Sequence, residues 1–106
     1  MPTSVVIVLT TVPSADAGAT IASALVEERL AACVSQLPPM TSTYRWRGAV
    51  TCDVEQQLVI KTTTDRLPAV RERLLALHPY DVPECLVVPV IDGSPAYLDW
   101  VRQETA

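Results

Sequence analysis

The sequence predicts an α+β fold of the ferredoxin-like class, in which two split β-α-β units share one antiparallel sheet and a further helix follows. Hydrophobic patterns typical of strands and helices succeed one another in the order β-α-β-β-α-β, with a short helix pattern at the end. The 106 residues, 49% of them hydrophobic, suit a single domain with one core, residues 1–106. In this fold both crossover helices lie on the same face of the sheet.

The first β-α unit has a clear strand and a clear helix start. Residues 4–12, SVVIVLTTV, are rich in β-branched residues and continuously apolar, which is typical of a strand buried on both faces. Ser14 is a candidate N-cap for the helix that follows, and Asp16 suits the positive end of that helix. Apolar residues from Ile21 to Leu30 recur at helical spacing and predict an amphipathic helix.

A long hairpin is predicted next. Residues 33–48 favour a strand, with a kink or bulge at Pro38-Pro39, because proline cannot donate a ladder hydrogen bond. Gly48 turns the chain. Residues 49–63 then alternate between apolar and polar side chains, as a half-buried strand does.

The length of this second hairpin strand has a structural consequence. Fully extended, residues 49–63 span about 46 Å at ~3.3 Å per residue, whereas a globule of this size has a diameter of about 34 Å. We therefore expect the hairpin to overhang its own domain and to pair its free edge with a neighbouring subunit. The alternative is that the strand bends at a bulge and stays within its own subunit.

The second helix is predicted to begin at Thr64 or Asp65, either of which can act as its N-cap. Pro68 is tolerated in the first turn, where the backbone amides have no partner within the helix. Pro79 ends the helix.

The last predicted strand shows the same apolar pattern as the first. Residues 85–91, CLVVPVI, predict a strand that is apolar on both faces, and Ser94-Pro95 opens a short final helix. Helices cover only one face of such a sheet, so the second apolar face of strands 4–12 and 85–91 would be exposed in a lone subunit. This pattern predicts an oligomer.

Composition excludes several classes of function. The net charge is −4 and the basic residues are scattered, which excludes a nucleic-acid footprint. The first apolar run is too short for a signal peptide or a membrane span, so we expect a cytoplasmic protein with no membrane partner. The three cysteines form no CxxC pair, and the three glycines form no phosphate-binding loop. Since no nucleophile motif is present either, we expect no enzyme activity.

Three residues are candidate metal ligands, each with a structural alternative. His78 is the only histidine and suits copper or zinc, or it caps the end of the second helix. Cys33 offers a thiolate that suits Cu(I), or it is a small buried hydrophobic residue. Glu84 is an oxygen ligand or a hydrogen-bond acceptor at the start of the last strand.

A candidate ligand pocket rests on one charge and on the aromatic residues. Lys61, the only lysine, can hold an anionic group of a ligand or form a structural ion pair with Glu55 or Glu84. Aromatic side chains with polar tips suit a half-wet cleft between subunits, although an interface alone also favours them. The aromatic residues of the chain are Tyr44, Trp46, Tyr80, Tyr97 and Trp100.

Five sequence blocks, in the same order and spacing, resemble the signature of the CutA divalent-cation tolerance family. The resemblance covers residues 5–104. The blocks are LVEERLAACV (25–34), YRWRG (44–48), IKTT (60–63), LHPYDVPE (77–84) and PAYLDW (95–100).

The resemblance implies a ferredoxin-like subunit in a tight homotrimer, with hairpins that wrap onto neighbouring sheets. It also implies copper or another divalent cation as ligand. Some members carry a second histidine where this chain has Leu77, so we expect a weakly bound metal ion. The function expected is divalent-cation tolerance by metal binding or metal response, without catalysis.

Two other functions are compatible with the sequence. The general layout is similar to that of PII signalling proteins, which are trimers that bind small effectors between subunits. In that case the protein would sense a small anionic metabolite at its subunit clefts, with Lys61 central. The third possibility is a purely structural assembly module.

Overall fold

The computed structural model describes residues 3–106, so the first two residues of the predicted domain lie outside the described part of the chain. Over residues 3–106 the fold contains five strands, three α-helices and one turn of 3-10 helix at Thr64–Arg66. The strands and helices are β1 (Val5–Val12), α1 (Ala15–Glu27), β2 (Cys33–Gln36), β3 (Met40–Trp46), β4 (Ala49–Thr63), α2 (Leu67–Leu77), β5 (Leu86–Pro89) and α3 (Pro95–Glu104).

The sheet confirms the predicted ferredoxin-like topology. Its order is β2-β4-β1-β5, and every neighbouring pair is antiparallel. Strand β4 therefore lies between the two strands that α1 connects, and β1 lies between the two strands that α2 connects. Each β-α-β unit is split by a strand of the other, which is the defining feature of the fold.

The main core lies between the sheet and the two crossover helices. On the sheet, alternate residues of β1 and β4 point toward the helices, and Val8, Leu58 and Ile60 have no exposed surface. The helices supply Leu25 and Leu74, which are equally buried in the same cluster. Both helices thus cover one face, as the sequence predicts.

The helix starts were predicted with mixed success. Ser14 caps α1 as expected, since its Oγ accepts a hydrogen bond from the amide of Ala17 at 3.1 Å. The predicted caps of the second helix, Thr64 and Asp65, were wrong. Both lie inside the 3-10 turn, and α2 begins at Leu67 without a side-chain cap. The tighter turn satisfies the first amides through the backbone instead.

The hairpin overhangs the rest of the domain, as its length predicts. Strand β3 pairs only with residues 49–55 of β4, whereas β1 pairs with residues 56–63. The molecule measures 44 Å along its longest axis and 28 and 24 Å along the others. Residues 37–39 interrupt the first hairpin arm at the two prolines, and Gly48 takes a φ of 82° in the turn.

The second face of the sheet is only partly covered within one chain. Helix α3 forms a small separate cluster in which Leu98 and Val101 pack against Val5. Strand β5 is shorter than the predicted 85–91, lies at the edge of the sheet, and exposes all its side chains. Leu86, for example, keeps 56% of its surface exposed. Within residues 3–106, no helix is both long enough and apolar enough to cross a bilayer.

Candidate functional site

An open cleft of about 620 Å³ lies between the overhanging hairpin and the segment that follows α2. Side chains of β3 and of the middle of β4 form one wall, and residues 79–84 form the other. Thr11, near the end of β1, closes the inner end. The cleft therefore exists because the hairpin continues beyond the point where β1 stops.

Strand alternation decides which polar residues reach the cleft. Leu58 and Ile60 point into the helix-covered core, so Glu55 and Gln57 lie on the opposite face and line the cleft. The prolines of the segment after α2 hold it in an irregular path beside the hairpin. Along this path Tyr80 reaches Glu55, and its hydroxyl donates a hydrogen bond of 2.7 Å to Glu55 Oε2.

Two tyrosines of the cleft have perturbed acidity. Burial and the hydrogen bond to Glu55 raise the pKa of Tyr80 well above its usual value. The hydroxyl of Tyr44 donates to Asp53, and that hydrogen bond raises the pKa of Tyr44. Both phenols therefore stay protonated at neutral pH and act as donors to carboxylates.

The cleft is acidic. Glu55 is only 8% exposed, and Gln57 Nε2 lies 3.5 Å from Glu84 Oε2. Asp81 completes the carboxylates, and its only ion pair in residues 3–106 is a 3.9 Å contact with exposed Arg47 at the rim. Within the described chain no lysine, arginine or histidine lines the cleft. The field inside it thus favours a positively charged ligand.

His78 is placed as a structural residue. Its backbone amide closes α2 by donating to the carbonyl of Leu74. The ring is buried, with Nε2 2.7 Å from the carbonyl oxygen of Thr11 and Nδ1 accepting from the amide of Tyr80 at 3.1 Å. Since an amide donates to Nδ1, the ring proton lies on Nε2 and both nitrogens are engaged. This geometry supports the helix-end alternative over the ligand role.

The three predicted metal ligands do not meet in one chain. Cys33 lies on β2 with its Sγ 3.8 Å from Lys61 Nζ, Glu84 lies in the cleft, and His78 faces the backbone of β1. Among residues 3–106, no group of three or more histidines, cysteines, aspartates or glutamates is arranged to hold a metal ion. The described residues of a single subunit thus offer no closed metal site.

Only half of the predicted pocket residues come together. Tyr44, Trp46 and Tyr80 line the cleft. Tyr97 and Trp100 lie on α3, where their rings pack on each other with centroids 5.6 Å apart. The sixth residue, Lys61 on β4, does not line the cleft.

Lys61 lies outside the cleft, further along β4. Its Nζ donates to Ser35 Oγ at 2.7 Å on the neighbouring strand. Within the described residues it makes no ion pair with Glu55 or Glu84, so the predicted structural pair does not form.

Glu55, Gln57 and Asp81 are cleft residues that the sequence analysis did not select as site residues. The polar alternation of β4 was a usable signal for the first two, because it puts them opposite the core-facing residues. Nothing local indicates that Tyr80, distant in sequence, bonds to Glu55. That contact depends on the path of the segment after α2.

The fold and the cleft define a small ferredoxin-like protein with an acidic cleft, lined in part by aromatic rings, at the overhanging end of its sheet. The family described as CutA1 divalent ion tolerance protein matches residues 6–104. A Thermus thermophilus divalent-cation tolerance protein CutA is 54% identical over 99 residues, which are 93% of this chain and 96% of that protein. The chain belongs to this family, as the sequence blocks indicate.

Two further relatives support the assignment. The crystal structure of CutA from Xylella fastidiosa superposes with a TM-score of 0.96 at 44% identity, covering 98% of this chain and all of that one, 100%. The mouse protein CutA is 43% identical over 105 residues, which are 99% of this chain. The chain spans only 59% of the mouse protein's length.

Proposed function

We propose that the protein is a homotrimer that confers divalent-cation tolerance by binding copper or another divalent cation weakly at the acidic cleft, without catalysis. One observation carries the proposal for this site: a cleft that contains Glu55, Asp81 and Glu84 has no basic residue in its lining within the described chain. Family membership supports the class of ligand. The cytoplasmic location stays a prediction from the sequence.

Weak binding follows from the chemistry of the donors. Carboxylate and amide oxygens, here from Glu84, Asp81 and Gln57, bind divalent cations, and copper binds most tightly of the first-row divalent ions to a given donor set. No three-ligand group is preformed in residues 3–106. Water or a second subunit must therefore complete the coordination, which lowers the affinity.

Three features of the single chain support association between copies. The edge strand β5 exposes apolar side chains together with unpaired backbone groups, and residues 49–55 extend beyond the domain with one free edge. Trp46, near the tip of the hairpin, is 41% exposed. Association with neighbouring copies would bury these groups. Large exposed apolar patches of this kind are uncommon in monomeric proteins.

The absence of catalysis is supported by the state of the only histidine. His78 has both ring nitrogens bonded to backbone groups, so no imidazole is available as a general base. The anionic-metabolite alternative has no specific support, because the cleft is acidic and Lys61 lies outside it.

Copper titration tests the cation site. Calorimetry with Cu(II) should show weaker binding for Glu84→Gln than for the parent protein, because a charged donor is lost. Glu72→Gln, an exposed glutamate of α2 outside the cleft, should bind as the parent does. Equal copper binding by all three proteins would show that the cleft is not the cation site. Loss in His78→Ala but not in Glu84→Gln returns the ligand role to His78.

Sedimentation velocity tests the assembly. The protein should sediment as a trimer at micromolar concentration, and Trp46→Ala should dissociate at concentrations where the parent stays assembled, since a large exposed ring is removed. A monomer at micromolar concentration contradicts the proposed homotrimer. A Trp46→Ala trimer as tight as the parent excludes this ring from the contact.

A further inference from the structure

Glu55 is a buried carboxylate without a compensating cation. It is 8% exposed, and Tyr80 donates a neutral hydrogen bond to one of its oxygens, Oε2. Within residues 3–106, Glu55 Oε1 accepts no hydrogen bond, and neither lysine nor arginine pairs with the group. A buried charge of this kind is costly unless a positive group neutralises it. The side chain lines the cleft, so that positive group can come from a ligand.

The shape and walls of the cleft suit an organic ligand. Its volume of about 620 Å³ falls in the range of sites for small organic molecules and far exceeds that of a metal ion. Tyr44, Trp46 and Tyr80 add three aromatic rings to the walls. Aromatic rings attract ammonium groups through their faces and also cover methylene chains.

The chain already places one organic cation at the rim. The Arg47 guanidinium lies 5.4 Å from the centroid of the Trp46 ring and 3.9 Å from Asp81. The side chains of both Arg47 and Asp81 are largely exposed, at 76% and 83%, so the pair contributes little and is displaced easily. The mouth of the cleft is thus suited to a cation with a flat or aliphatic body.

We propose that the cleft binds a small aliphatic diamine or polyamine, with one ammonium group on Glu55 and another on Glu84. The methylene chain lies along the ring of Tyr80. The inference rests on the proposed function in that it keeps the acidic cleft as the cation site, and it adds a class of organic ligand. Glu55 lies on the hairpin wall of the cleft and Glu84 on the facing wall, so each carboxylate can take its own ammonium group.

Tryptophan fluorescence and calorimetry with hexamethylenediamine test the proposal, with the diol of the same chain length as the neutral control. The diamine should bind saturably and the diol should not. Glu55→Gln should weaken diamine binding at least about tenfold, because a charge-assisted hydrogen bond is lost. The amide oxygen of the new side chain still accepts from Tyr80, which preserves the local fold. Glu72→Gln should bind as the parent does.

Glu84→Gln provides a second variant in case Glu55→Gln unfolds, and it should also weaken diamine binding. Arg47→Ala should strengthen binding, since it removes the competing cation. Equal affinity for diamine and diol, no diamine binding at millimolar concentration, or parent-like affinity in both glutamate variants would each overturn the inference. The copper titration of the same proteins separates the two proposals: copper binding without diamine binding defeats only the organic ligand.

Discussion

The two halves of β4 share one pattern of alternating side chains but have different surroundings. Residues 56–63 pair with β1 on one edge, and β2 covers part of the other edge, so Leu58 lies fully buried. Residues 49–55 pair with β3 alone, and Val54 keeps 64% of its surface exposed. Both residues belong to the same apolar alternation of one strand. The inner half contributes to the core, whereas the outer half leaves apolar side chains exposed.

Glu55 stands where the two halves meet. It is the last residue of β4 paired with β3, and Tyr80 covers it from the segment after α2. The candidate site therefore lies at the junction between a rigid, fully paired sheet and a two-stranded ribbon. Substitutions in the inner half should therefore affect the stability of the fold, whereas those in the outer half should affect it much less.

The largest expected effect is that of Leu58→Ala, in the inner half. The lost apolar contact and the cavity left behind should lower the free energy of unfolding by about 2–5 kcal/mol. Val54→Ala should change it far less, because that side chain is mostly exposed. Denaturant unfolding at one fixed protein concentration measures both. Similar losses for the two variants would erase the contrast between the halves.

His78→Ala should be the next most costly. It removes the ring that joins the end of α2 to β1, where a backbone carbonyl and an amide lose their partners, at about 1–3 kcal/mol. Chemical denaturation measures the loss. His78→Gln, which keeps a donor and an acceptor, should recover part of it. If the alanine variant unfolds like the parent, the bonds to Thr11 and Tyr80 contribute nothing.

Thr10→Val should stabilise the protein. Thr10 is fully buried in the inner sheet, and its hydroxyl has no hydrogen-bond partner within residues 3–106. An unbonded buried hydroxyl costs about 1–3 kcal/mol, which the valine recovers in part with nearly the same shape. Thr62→Val is the matched control and should destabilise, because its hydroxyl donates to Leu30 at 2.6 Å. Equal shifts of the denaturation midpoint in Thr10→Val and Thr62→Val would contradict the conclusion that, of these two hydroxyls, only that of Thr10 lacks a hydrogen-bond partner within residues 3–106.

The smallest effect concerns Tyr80 at high pH. Its raised pKa means that the folded state favours the protonated phenol, so this stabilisation is complete below about pH 10 and is lost as the pH rises through the folded value. Phenolate absorbance should show a tyrosine that ionises late. In Glu55→Gln its pKa should fall but stay above the usual value, because burial is the larger cause. An unchanged titration would exclude the hydrogen bond as a contributor.

The fold was largely predictable because its signals are local and periodic. The Ser14 cap, the interruption at the prolines, and the continuous strand from Ala49 to Thr63 were each predicted and are confirmed. The start of α2 was not predictable in the same way. Thr64 and Asp65 are good capping residues, but they form part of a 3-10 turn that precedes the helix.

The site was less predictable because it is built from contacts across long stretches of chain. Three of the aromatic residues predicted for a ligand pocket line the cleft, as does Glu84, which was predicted as a metal ligand, whereas Lys61 lies outside this cleft. Its side chain bonds to Ser35 on the neighbouring strand, a partner that only the register of β2 against β4 determines.

By itself the sequence determined the order of the elements, the overhang of the hairpin and the family, since hydrophobic periodicity and chain length act within short segments. Only the tertiary structure decided which polar groups meet. It places both ring nitrogens of His78 against backbone groups and buries Glu55 with, among residues 3–106, one neutral hydrogen-bond donor. The reason is physical: the charge and hydrogen-bond state of a side chain depends on neighbours that are brought near by the whole fold.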